Sequence, residues 1–290
     1  MRGYEKMFKL IKNQNYLLAI FLFTFAFLLF VYAVYTFLPV HENANPPITW
    51  GWGIDWKDNI RLASLDLITG RTPYTSVIRC VPPWIYLLIS PIAALPPDIG
   101  TAVIFVLSYI IYLFVLYRLK ANLWVMLAFL FNTFAFYNAK NGNLDFLAVL
   151  GFVLPPQIGL FFVLIKPQIG IGIAIFWLIE SWRKGKFLEV FRTFIPVSAA
   201  YVVSFLIYGL WPFKLIGMAS DAYNASLWPL GIPIGIILLY KSIHDRKALF
   251  AMAASPFLAP YVNITSFAVL LLPFIPNPFL FLIGVTLTWR

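Results

Sequence analysis

Two polar clusters interrupt an otherwise apolar chain, and each holds residue types suited to group transfer. The first is Trp50-Gly-Trp-Gly-Ile-Asp-Trp-Lys-Asp58, where Asp55 and Asp58 stand among aromatic and apolar neighbours. A carboxylate at a lipid–water boundary can act as a general base, taking the proton of a sugar hydroxyl as its oxygen attacks an activated carbon. Asp55 is the first candidate for that role and Asp58 its nearest rival. The same letters also fit plain helix architecture, with Asp55 as the N-cap and Asp58 as an acid favoured by the helix dipole.

The second cluster runs from Asn138 to Asp145 and resumes at Lys166-Pro167-Gln168. A lysine inside an apolar stretch costs about 2.5–3.5 kcal/mol on insertion scales, so it pairs with something or lines a pathway. Lys166 therefore either snorkels to the headgroups or offers a point charge to an anionic lipid phosphate. On the second reading Pro167 stops the helix there and Gln168 adds a hydrogen bond. Asn141, Asn143 and Asp145, grouped around Gly142, read either as a turn with a helix cap or as contacts for substrate hydroxyls.

The elements that must position these groups are helices in lipid. Of 290 residues, 62% are hydrophobic and 11% charged, against roughly 45–50% and 25% in a soluble domain. Apolar stretches near the ~20 residues that span a bilayer follow one another almost end to end, and they lack the weak alternation of an outer-membrane barrel. The run from Tyr16 to Leu38 is too long for a signal-peptide core and has no small-residue cleavage site, so it is predicted to stay as the first spanning helix. The expected fold is all-α: a polytopic integral membrane protein of about 10–11 membrane helices in one transmembrane domain over 1–290, with no soluble domain.

Basic residues set the orientation. The N-terminal lysines, Arg118 with Lys120, the run Arg183, Lys184, Lys186 and the run Lys241, Arg246, Lys247 fall in short clusters between apolar segments, as the positive-inside rule predicts for cytoplasmic ends. The formal charge of +10 is thus membrane topology and not a nucleic-acid face. The first extracytoplasmic loop, about 39–80, then carries Asp55, Asp58 and Asp66 on a short helix lying on the membrane surface. On that helix Trp56, Ile60, Ala63 and Leu67 share one face, while Asp55, Asp58, Asn59 and Asp66 line another. Pro82 to Leu95, interrupted by Pro91, reads as a partial or re-entrant helix. A helix over about 122–137 follows, then two apolar pieces around Pro155-Pro156 that form either half-helices or one kinked helix. Parity places Lys166 near the outer side, where it and Asp55 are expected to open onto one cavity.

One cysteine, Cys80, and two distant histidines, His41 and His244, exclude a His/Cys metal cluster by count. No metal site is assigned, and a divalent-ion requirement is unreadable. No Rossmann or Walker fingerprint follows a strand. Asn224-Ala-Ser and Asn263-Ile-Thr match the glycosylation acceptor pattern, which in so short a form is usually chance.

Taken in order, an outer-loop aspartate, the Gly70-x-x-Pro73-Tyr74 turn, Pro82-Pro83 with Pro91, a Gly142-Asn143 loop and Ile165-Lys-Pro-Gln168 resemble the GT-C superfamily of membrane glycosyltransferases. The nearest resemblance, over about 54–183, is to the polyprenyl-phosphate-mannose-dependent mannosyltransferases of glycosyltransferase family 87. That resemblance implies inverting transfer of a sugar, mannose in this family, from a polyprenyl-phosphate donor to a lipid or glycan acceptor, with the active site facing the extracytoplasmic side. It implies Asp55 as catalytic base and Lys166 at the donor phosphate. The family's Gly-Gln-x-Asn is Gly-Asn-Leu-Asp here, and its cytoplasmic basic loop before the lysine is missing. The alternatives are a catalytically degenerate relative, or a transporter or flippase for a lipid-linked or anionic solute, with Lys166 and the broken helices as its site.

Overall fold

The computed structural model describes residues 2–40, 51–74, 81–215 and 224–289. Cys80, His41, Trp50 and much of the expected outer loop after Trp211 lie outside them. Among the described residues the fold is all-helical, with no strand.

Prolines and asparagines cut the apolar sequence into pieces. Proline stands at the first helical position of α3 (Pro83–Ala93), α4 (Pro97–Arg118), α8 (Pro156–Val163), α9 (Pro167–Tyr208) and α12 (Pro278–Leu287). There its fixed φ suits a helix start and its missing N–H costs nothing. Pro167 thus begins a helix where it was expected to stop one. Asparagine caps do similar work: Asn122 Oδ1 accepts from Val125 at 2.9 Å and Asn132 Oδ1 from Ala135 at 2.7 Å. The single helix expected over 122–137 is therefore two, α5 (Leu123–Leu130) and α6 (Thr133–Asn141).

Among the described residues three helical stretches are long and apolar enough to cross a membrane: the Ala19–Phe37 part of α1 (Arg2–Phe37), α4 and the continuous run of α9, which a break divides. This is fewer than the 10–11 expected, because caps interrupt most runs before they reach a bilayer's length; α7 (Asp145–Gly151) has 7 residues and α10 (Ile232–Asp245) has 14. The span in α1 packs mainly along α4 through Val31 against Ala102 and Val106 and leaves most of its side chains exposed, as a lipid-facing helix does. α3, with 11 residues and a length of about 16 Å, is too short to cross.

α9 is two helices. Gly185 and Lys186 have non-helical backbone angles, and the Ser181 and Thr193 hydroxyls lie 3.1 Å apart across the break. In one straight helix their 12-residue separation would set them about 18 Å apart, so the chain folds back at Gly185–Lys186. The second half returns Tyr201 to Leu164, whose carbonyl accepts its hydroxyl at 3.1 Å. α7 and α8 are separate half-helices, in close backbone approach at Gly151 and Gly159, with Trp177 of α9 against Gly159. α11 (Ala248–Leu258) packs on α9, and a 3-10 segment, Ile264–Phe274, runs against α6 and α11.

Candidate functional site

The loop before the first short helix is seated on α4 and α6. Gly53, at φ 72, packs on Thr101, donates to the Lys140 carbonyl at 2.8 Å and accepts from Lys57 N–H at 2.6 Å. A five-residue π turn, Trp56–Ile60, leads into α2 (Arg61–Ile68). π turns are uncommon and concentrate at functional sites. Asp55 lies at the start of this turn, 3% exposed, and its side chain caps nothing. Helical geometry begins already at Ile54, so the N-cap account of Asp55 does not hold.

Asp55 and Asp58 do not share a face. Asp58 is exposed, whereas the predicted apolar face of Trp56, Ile60 and Ala63 is buried and takes Asp55 inward beside it. The π turn shifts the register that ideal helical spacing assumes. Asp66 pairs with Arg71 at 2.9 Å. Lys57 anchors the turn to the start of α4 through Asp98 at 2.6 Å, and donates to the Val40 carbonyl at 2.6 Å. The helix is thus fastened to the bundle, with α3 and α4 against it. Its closing turn matches the sequence reading: Gly70 is left-handed at φ 76, and buried Tyr74 stacks on Trp211 at 5.1 Å and donates to the Val81 carbonyl at 3.0 Å.

Lys166 sits between α8 and α9 with its side chain 14% exposed, and its ammonium contacts Asp145 Oδ1 and Asn143 Oδ1. It is paired rather than free for an anion. Asp145 opens α7, where the helix dipole favours an acid, and Lys166 stands at the start of α9, where its cation is neutralised by that acid. The other carboxylate oxygen of Asp145 accepts from Ser266 Oγ at 2.9 Å and Asn138 Nδ2 at 3.3 Å. Asn138 also donates to the Thr265 carbonyl at 3.2 Å and accepts from the Thr265 hydroxyl at 2.7 Å. A water-sized cavity borders Asp145, Asn138, Ser266 and Tyr112. Asp55 and Lys166 are not among the residues that line it.

One segment nonetheless joins the two clusters. Gly142 ends α6 at φ 72, and a Cβ there would come within 2.5 Å of the Trp56 Cβ. The next residue, Asn143, is buried and reaches Lys166. The Asp55 turn and the lysine therefore lie on either side of Gly142–Asn143. α4 and α9 both begin on this side of the bundle and carry Arg118 and Arg183 well along toward their other ends.

Of the remaining sequence candidates, Asn141 closes α6 and is partly exposed, and Gln168 is partly buried in the first turn of α9; neither side chain makes a hydrogen bond among the described residues. Asn138, Thr265 and Ser266 were not singled out. Asn138 opened the polar loop already noticed, but Thr265 is 127 residues from its partner and carried no local signal. Of the two glycosylation-type patterns, Asn263 caps its own segment by accepting from Thr265 N–H at 3.1 Å. Asn224 braces a turn, accepting from Ser226 N–H at 3.0 Å and Val262 N–H at 3.1 Å. Among the described residues no group of three His, Cys, Asp or Glu could hold a metal ion. No protein-family model, curated protein or solved structure matches this chain.

Proposed function

We propose that this chain is an integral membrane glycosyltransferase of GT-C type, moving a sugar, mannose by the family resemblance, from a polyprenyl-phosphate donor to a lipid or glycan acceptor on the extracytoplasmic side. The observation that carries the reading is that Trp56, the residue after buried Asp55, packs on Gly142, whose neighbour Asn143 holds Lys166. An acceptor hydroxyl attacks the anomeric carbon, the bond from that carbon to the phosphate oxygen breaks, and Asp55 takes the hydroxyl proton. The lipid phosphate leaves with its negative charge, which a nearby ammonium stabilises in a site of low dielectric. The basic ends of α4 and of the first half of α9 support an outward-facing Asp55 by the positive-inside rule.

The test is transfer or release of labelled sugar from polyprenyl-phosphate mannose by purified protein in lipid nanodiscs, compared with Asp55→Asn. Sugar release lost with Asp55 supports the reading; none in the unmodified protein removes it. A second reading, a transporter or flippase for an anionic or lipid-linked solute, is favoured by the buried ion pair at the open end of two half-helices. Solute uptake into liposomes without sugar release is its signature.

A further inference from the structure

The groups around Lys166 raise a question that sugar transfer alone does not answer. Its ammonium already has a counter-charge, so an incoming phosphate must compete with Asp145 for it. The two oxygens of Asp145 differ: Oδ2 keeps Ser266 and Asn138 whatever the lysine does, whereas Oδ1 has only Lys166. Asp145 is 2% exposed, and a carboxylate so buried that loses its counter-charge is strongly disfavoured against its neutral form.

Resting on the lipid-phosphate reading, we infer that the Lys166–Asp145 pair is a latch: an anionic phosphodiester headgroup draws Lys166 away and Asp145 takes up one proton as it does so. The bookkeeping balances, because the phosphate's negative charge replaces that of the carboxylate beside the ammonium. The proton comes from solvent, and the cavity beside Asp145 gives a water room to deliver it.

Among the described residues no other charged group pairs with Asp145. From α4 the titratable group facing it is Tyr112, across the cavity. In α6 the one charged residue, Lys140, lies over the Tyr137 ring at 5.4 Å. The 264–274 segment has no charged residue and contributes Ser266 and Thr265, and α8 carries none. The first charged residue of α9, Glu180, pairs with Arg183 and Arg246 near the far end of its half-helix.

Calorimetry on the full chain in nanodiscs tests this with geranylgeranyl methyl phosphate, a phosphodiester whose single charge does not titrate near neutral pH. Titrations in two buffers of different ionisation enthalpy count protons directly on the unmodified protein. The expected result is uptake of about one proton per probe bound and affinity falling about tenfold per pH unit above neutrality. Binding with no proton uptake and no pH slope overturns the latch. Asp145→Asn should bind without the slope and more tightly than the unmodified protein at alkaline pH; the same slope in that variant also overturns it. Lys166→Met separates the two ideas: unchanged binding removes the lysine from the phosphate site and with it the donor reading, while lost binding beside an unsloped wild type removes the latch alone.

Discussion

Lys166 reaches across the open end of the α7–α8 hairpin to Asp145, so that the residue at the start of α9 neutralises the residue opening α7. Both partners are largely buried, and this decides how substitutions there behave. Breaking a buried pair from one side leaves a bare charge and costs about 3–5 kcal/mol, whereas removing both charges is far milder. Lys166→Met, which leaves Asp145 unpaired, should lower the thermal midpoint most. Asp145→Asn should cost less, because Lys166 keeps Asn143 and is the more exposed partner. The double variant should recover most of the loss; midpoints by intrinsic fluorescence in detergent check the order, and additive losses would mean the pair contributes nothing.

On the proposed reading, Asp55→Asn should lower sugar transfer by about 10²–10⁴-fold, the usual contribution of a general base. Asp58→Asn should keep most of its activity, since Asp58 faces outward. Rates in the labelled-donor assay decide between them, and equal losses would dissociate burial of the carboxylate from its role.

Gly142→Ala should both destabilise the protein and disable it. The position is left-handed, which costs a non-glycine residue of order 1–3 kcal/mol, and the added methyl meets Trp56 at 2.5 Å. Gly142→Asn, which tolerates that backbone, should fail as well, because the clash remains. Gly70→Asn is the control: its φ is equally positive at 76, but nothing lies within 4 Å, so folding and activity should survive.

At the end of α10, His244 and Lys241 hold Asp245 below the usual carboxylate range, the hydrogen bond from His244 being the largest cause. A carboxyl lowered in the folded state adds stability above its unfolded value that is lost as pH falls through the folded one. The difference in midpoint between the unmodified protein and Asp245→Asn should therefore be present at neutral pH and fade as pH falls below about 4. The group is exposed, so the difference should also shrink in high salt.

The helical class and the polar clusters were legible in the residues, whereas most helix ends were not, although local signals set them. Proline at a first helical turn and asparagine at a cap act within a few positions, as Pro83 and Asn263 show. The break at Gly185–Lys186 was legible for the same reason, as a basic run between apolar segments. The membrane-helix count was not, because Asn132 divides a run that hydropathy alone reads as continuous.

The sequence by itself determined that the chain is helical, with runs apolar enough to cross a membrane, and that Asp55 and Lys166 stand among apolar neighbours, because composition and local caps act through near neighbours. Tertiary structure alone decided which way those charges face. A π turn rotated Asp55 inward and Asp58 outward, and Asn138, Thr265 and Ser266 met around Asp145 only when the 264–274 segment packed on α6. Side-chain pairing at such separations follows from which helix faces fit together, and no local pattern encodes that fit.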